Sequence, residues 1–231
     1  MLNMNRRQVI GGLAAGAVAT SSLFTAGCKD QPANSGASSM AWKNPENKDF
    51  YKADSTFDLE KAKQAYYDMM KYYNYPIVDR LKSDDFWAVD FGLDNFTEVG
   101  MAGILWINNK EHNYMGHEIF LLPGQMIPEH WHMPTTDVGA KLEAWQLRYG
   151  SVTLYSEGTP TPGGDERIPP IHRDIAVART EKKLQPGEVG KLAAAEEKHW
   201  MLGGPEGTIV TEYATYHDND GLRFTHPDIK F

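Results

Sequence analysis

From residue 85 onward the chain is written in short segments whose apolar and polar residues alternate. FWAVDFGL, GILWI, EIFLLPG, EAWQLRYG, SVTLYSEG, IAVARTE, EVGKLAA and TIVTEYATY follow one another, set apart by glycine, proline and asparagine. A period of two puts every second side chain on one face of an extended strand, a pattern no helix can use. Many short strands of this kind predict an all-β sandwich or barrel. A faint duplication narrows the choice. LLPGQMIPEHWH (121–132) and LQPGEVGKLAAAEEKHWM (184–201) each place Pro-Gly ahead of a strand that ends near a histidine. Two such halves, folded as facing sheets, make a jelly-roll barrel. The Pro/Gly-rich stretch between them, GTPTPGGDERIPPIHRD (158–174), is either slack between the halves or a lid over the barrel mouth.

Ahead of the strands the pattern changes. Leu59, Ala62, Tyr66, Met69, Met70 and Tyr73 recur at three- and four-residue steps, which predicts a helix over 57–73 that Pro76 ends. Its stripe of Tyr and Met is the face that packs it on the barrel. The first 28 residues have a charged start, an apolar Gly/Ala-rich run and small residues at the end, the make-up of an export signal. The pair Arg6-Arg7 is that of a twin-arginine signal, with an ordinary export signal or short membrane anchor as the plainer reading. Cys28 is the only cysteine, which rules out an intramolecular disulfide and a cysteine-rich metal site. Its place after Thr-Ala-Gly resembles a lipidation site, although Thr25 stands where such sites usually have leucine. The expected organisation is a signal and lipidation site over 1–28, a polar tether over 29–45, a helical extension over 46–84 and the barrel over 85–231. A net charge of −8 repels phosphate backbones and anionic membranes, so nucleic acid is excluded as a partner. A membrane contact is expected only through a lipid anchor.

The chemistry is concentrated in two strings. In PGQMIPEHWH (123–132) His130 and His132 are two apart, so on a strand their rings share a face. In KLEAWQLRYG (141–150) Lys141 and Glu143 are related in the same way, and Trp145 shares that face. A third imidazole, His199, stands in EKHWM. Three nitrogens and one carboxylate oxygen suit a first-row divalent cation. His112, His172, His217 and His226 are read as surface or satisfied core residues, and Trp131 and Trp200, each beside a ligand candidate, as packing that points away from the site.

Gly124, the His130-x-His132 pair, Glu143 and Gly150 together resemble the first metal motif of the cupins. Longer strings are closer still. VDFGLDNFTEVGMAG (89–103), LLPGQMIPEHWH, KLEAWQLRYGSVTLYSEGTPT, KHWMLGGPEG and EYATYHDNDGLRFTHPDI resemble D-lyxose isomerases of the cupin superfamily. The resemblance implies a cupin double-stranded β-helix with the N-terminal helix packed outside. It also implies a divalent metal, manganese in that family with zinc or iron(II) as alternatives, held by His130, His132, Glu143 and His199. The substrate it implies is a small sugar. Lys141 matches the lysine that faces the same pocket, and Glu212 and Arg223 lie in matching strings. His117 stands where these isomerases tend to have lysine.

Aldose–ketose isomerisation moves a proton between adjacent carbons. Glu212 is the expected base and Lys141 the proton donor to oxygen, with its pKa lowered beside a metal. Arg223 is the expected clamp on a distal group, and Trp145 a wall of the sugar site. The same ligands would serve an iron oxygenase, or a sugar-binding lipoprotein with a structural metal. The expected assembly is a homodimer, and the expected address is outside the cytoplasm.

Overall fold

The computed structural model describes residues 45–231; the signal, Cys28 and all but the last residue of the tether lie outside the described residues. Nine strands follow the helix α1 (Leu59–Tyr72): β1 (Phe86–Val89), β2 (Met101–Asn109), β3 (Tyr114–Leu121), β4 (Met126–His132), β5 (Glu143–Ser156), β6 (Thr180–Leu184), β7 (Val189–Lys191), β8 (His199–Ala214) and β9 (Leu222–Phe224). A one-turn helix α2 (Pro170–Arg173) interrupts the long connection between β5 and β6.

Two long strands make the barrel. The C-terminal half of β8 pairs with β3 on one side and with the first half of β5 on the other, which gives one sheet that continues through β2 to β1 and through β5 to β7. The N-terminal half of β8 pairs instead with β4 and the second half of β5, and that sheet is completed by β9 and β6. β5 and β8 therefore pass from one sheet to the other, and the two sheets face each other as a double-stranded β-helix. The passage is made at bulges in β5, between Leu147 and Tyr149 and between Gly150 and Val152. Gly150 and Gly207 both have positive φ there, and a Cβ on Gly150 would stand 2.0 Å from the Gly207 carbonyl oxygen. Only glycine fits that corner. EAWQLRYG and SVTLYSEG are thus one strand, because Gly150 marks a bulge and not a turn.

Each sheet also needs its outer face covered. Asp58 caps α1 by accepting from the Lys61 N–H at 3.1 Å, and Asn74, with φ of 52°, ends it. The helix lays Ala62, Ala65, Tyr66, Met69 and Met70 against Phe86, Ala102, Ile104, Phe120 and Ile209 on the outside of the β1–β2–β3–β8 sheet. The other sheet is covered by residues 157–179. Trp200 and Tyr155, paired across β8 and β5, stack with ring centres 3.6 Å apart, and the Trp200 indole N–H donates to Ala178 O at 2.8 Å. Glu129, fully buried, accepts from the Val177 and Ala178 N–H groups and from the Thr225 hydroxyl. Because those amides go to a carboxylate, Ile175–Arg179 is coil, and the strand expected over IAVARTE starts only at Thr180. Ile168, Ile171 and His172 of residues 158–174 pack on the outside of the barrel, and no residue of that stretch lines its cavity.

Candidate metal centre

The inner faces of the two sheets bring different chemistry to one cavity. From β4 come His130 and His132, and from the start of β8 comes His199, paired across the ladder with His130. A β4 bulge between Ile127 and His130 keeps both imidazoles inward. From the opposite sheet come Glu143 and Trp145 on β5, Glu212 on β8 and His117 on β3. Lys141 lies two residues before Glu143, and both are buried.

One donor atom from each of His130, His132, Glu143 and His199 lies within 4.8 Å of all the others. The tautomers of two of the imidazoles are set from behind. His130 Nδ1–H donates to Pro128 O and His199 Nδ1–H to Glu197 O, each at 2.8 Å, which leaves the Nε2 lone pairs for the cavity. His199 Nε2 stands 2.8 Å from Glu143 Oε2, and His132 Nε2 stands 3.4 Å from Glu143 Oε1. Yet His132 Nε2, His199 Nε2 and Glu143 Oε2 have no hydrogen-bond partner among the described residues. Burying three such atoms unpaired is costly, and a shared cation satisfies all of them. The residues fit a divalent metal.

Burial, and then the neighbouring His199 and His132, hold the His130 pKa well below its ordinary value, so its ring is neutral and able to ligate. At Glu143 burial favours the acid, but the charge of the Lys141 ammonium leads the effects that outweigh it and keep the carboxylate ionised. Beside this cluster Lys141 Nζ donates to Glu143 Oε1 at 2.6 Å and to Glu212 Oε1 at 2.5 Å. Burial works to lower the Lys141 pKa, but these two carboxylates prevail and raise it. With two carboxylates on it the ammonium is the favoured form; the lowering expected for Lys141 concerns a site that holds its metal. His117 Nδ1 lies 3.0 Å from Glu212 Oε2, and its ring stacks on Trp87. The Nε2 of His117 is buried without a partner among the described residues.

Eight of the residues singled out in the sequence thus meet in one cavity. Arg223 does not. In the β4–β9 register it pairs with Trp131, whereas its neighbours Leu222 and Phe224 pair with the two inward histidines. Paired residues share a face, so Arg223 points outward, and its guanidinium donates to Asp220 O and Leu222 O. Trp131 also faces out, under the Lys198 ammonium. His172 is a satisfied core residue, accepting from the Glu129 N–H at 3.0 Å. His217 is different: it lines the cavity, with its ring centre 5.5 Å from that of His132. Burial, followed by the charges of Lys141 and His132, lowers its pKa to about 4. A lone histidine in an aperiodic string offered no signal for that role.

Fold and donor set together define a cupin with a metal-type centre beside a lysine–glutamate pair. Among characterised proteins, the D-lyxose/D-mannose isomerase of Thermosediminibacter oceani is 31% identical over 74% of this chain and 93% of its own length. The D-lyxose ketol-isomerase of Cohnella laeviribosi is 35% identical over 62% of this chain and 77% of its own. The chain belongs to the D-lyxose isomerase family, and so to the sugar ketol-isomerases. Among solved structures, Cellulomonas parahominis L-ribose isomerase with L-psicose superimposes with a TM-score of 0.57 over 73% of this chain and 91% of that one. At 15% identity this is a likeness of fold. No protein-family model matches the chain.

Proposed function

We propose that this protein is a metal-dependent isomerase that interconverts a free aldose and its ketose, with D-lyxose as the first substrate to test. The observation that carries the reading is the convergence of four donor atoms within 4.8 Å, three of them buried without partners, with the Lys141–Glu212 pair in the same cavity. The relatives supply the choice of sugar. His130, His132, Glu143 and His199 would hold the cation, with manganese the proposed ion and zinc or iron(II) the alternatives. When bound, it supplies Lewis-acid charge beside the carbonyl and neighbouring hydroxyl oxygens of the sugar.

The chain's own residues do the rest. Glu212 takes the proton from the hydroxyl-bearing carbon and returns it to its neighbour. His117 and Lys141 each hold one of its oxygens, which fixes the carboxylate against rotation. Lys141 gives a proton to the oxygen that gains one and recovers it from the oxygen that loses one. Trp145, buried beside His199, forms an apolar wall that keeps water from the reacting carbons. Incubating manganese-loaded protein with a panel of aldopentoses and aldohexoses tests this: a ketose should form from at least one. Sugar binding with no ketose formed from any would overturn the catalytic reading in favour of a binding protein.

We further infer that the chain is exported and held at a membrane by a lipid on Cys28. The charged start, the apolar run and Arg6-Arg7 support this reading. Replacing both arginines by lysine should leave the precursor in the cytoplasm; unchanged export would overturn the twin-arginine reading. A homodimer is supported by a row of exposed apolar side chains, Ile107, Tyr114, Val189 and Tyr213, on the outer sheet face that α1 leaves bare.

A further inference from the structure

His217 follows β8, outside every regular element, yet it is held at three points. Its N–H donates to Asn108 Oδ1 and its carbonyl accepts from Asn108 Nδ2, both at 2.9 Å. Its ring Nε2 lies 2.7 Å from Asn219 Oδ1. An amide oxygen only accepts, so Nε2 carries the hydrogen and Nδ1 keeps the lone pair. That Nδ1 is buried and has no partner among the described residues. It is not one of the four converging donor atoms.

The ring stands between two pockets. His217 lines the deep cavity with Lys141 and Glu212, and it also lines a second, outer pocket with Asn108, Tyr216 and Asp218. Trp87, Leu105 and Phe231 are the other side chains common to both. Among those shared residues Leu105 and Phe231 are apolar and Trp87 offers only a donor, so His217 provides the one side-chain acceptor. This junction borders the same cavity as the four donor residues.

We propose that His217 Nδ1 accepts a hydrogen bond from one sugar hydroxyl outside the reacting pair of carbons, and so sets which polyol the site prefers. The proposal rests on the sugar-isomerase reading for its substrate class, but its test does not need turnover. An acceptor fixed in one tautomer, on a backbone clamped by Asn108, discriminates because a sugar lacking that hydroxyl leaves it buried and unpaired. Asn108 and Asn219 are positioning residues for it.

The test is a cycle between protein and ligand. Binding of D-lyxose, of its acyclic alditol and of the monodeoxy analogues is measured by titration calorimetry on manganese-loaded wild type and His217→Leu. For wild type, one deoxy analogue should bind about tenfold more weakly than the parent, the scale of one lost buried hydrogen bond. His217→Leu should weaken the parent by a similar factor and leave that analogue unaffected, while the other analogues lose in parallel. Manganese content of the variant should equal that of wild type, and His217→Asn, which keeps an acceptor oxygen, should recover part of the affinity. Equal losses for every analogue, or loss of manganese in the leucine variant, would overturn the proposal. If the wild type binds sugars and forms no ketose, the isomerase reading fails while the cycle still decides the hydroxyl contact.

Discussion

The two faces of the β1–β2–β3–β8 sheet are made by alternate residues of the same strands, and they differ in what they leave unpaired. On the outer face Phe86, Ala102, Ile104, Phe120 and Ile209 are fully buried against α1. The polar groups that share this face are paired. Tyr66 donates to Gln125 Oε1 at 2.6 Å, and Glu118 accepts from the Trp106 indole, the Thr211 hydroxyl and Tyr75. On the inner face His117 and Glu212 sit between Met115, Ile119 and Val210, and the His117 Nε2 is bare. The outer face thus combines packing with fully paired polar groups, while the inner face packs around groups it leaves unpaired. The side that bears the chemistry can carry buried, unpaired donors and acceptors because the outer face stabilises the same strands.

The largest effect expected from breaking this division is on catalysis. Glu212→Gln removes the base and keeps the side chain's size, so kcat should fall by about 10²–10⁴, with metal content and melting temperature near those of wild type. A small loss of rate would move the proton transfer to another group. On the outer face, Phe120→Ala should cost about 3–5 kcal/mol of stability, read by urea unfolding, while the protein that remains folded keeps its metal. A variant that lost metal at full stability would show that the faces are not separate.

A third test reads the outer covering of the opposite sheet. Burial, followed by the charge of His226, lowers the His172 pKa to about 4, whereas a histidine in the unfolded chain titrates near 6.5. The unfolded state therefore binds more protons between those values. Stability should be at its full level above pH 6.5 and fall by about 3 kcal/mol as pH drops to 4. In His172→Phe that part of the slope should be absent. The smallest effect is expected at Arg223: it points outward and bonds its own loop's carbonyls, so Arg223→Ala should change KM and kcat less than twofold or so. A large rise in KM would return the residue to the sugar site.

How much of this was legible follows from what each feature depends on. α1 could be read because its buried stripe is local, whereas its end falls at Asn74, ahead of the Pro76 that marks it in the sequence. His130, His132 and Glu143 could be read because the His130-x-His132 and Lys141-x-Glu143 spacings give a shared face once the segments are extended, and His199 stands in a string of its own. Arg223 went wrong because facing depends on the register of β9 against β4, which its own string does not contain. Gly150 reads as a turn until the partner strand is seen bending with it. Residues 157–174 have no period and IAVARTE has a misleading one, because 157–179 cover a sheet through Glu129 and single buried side chains. His217 is placed by Asn108, more than a hundred residues earlier in the chain.

The central claim is that the inner face is a metal centre built into a barrel that stands without it. Direct measurement of bound divalent metal after dialysis, on wild type and His132→Ala in parallel with circular dichroism, tests it most directly. The expected result is close to one equivalent on the wild type and little on the variant, with the same β-sheet spectrum for both. Equal metal on the two proteins, or an unfolded variant, would contradict it.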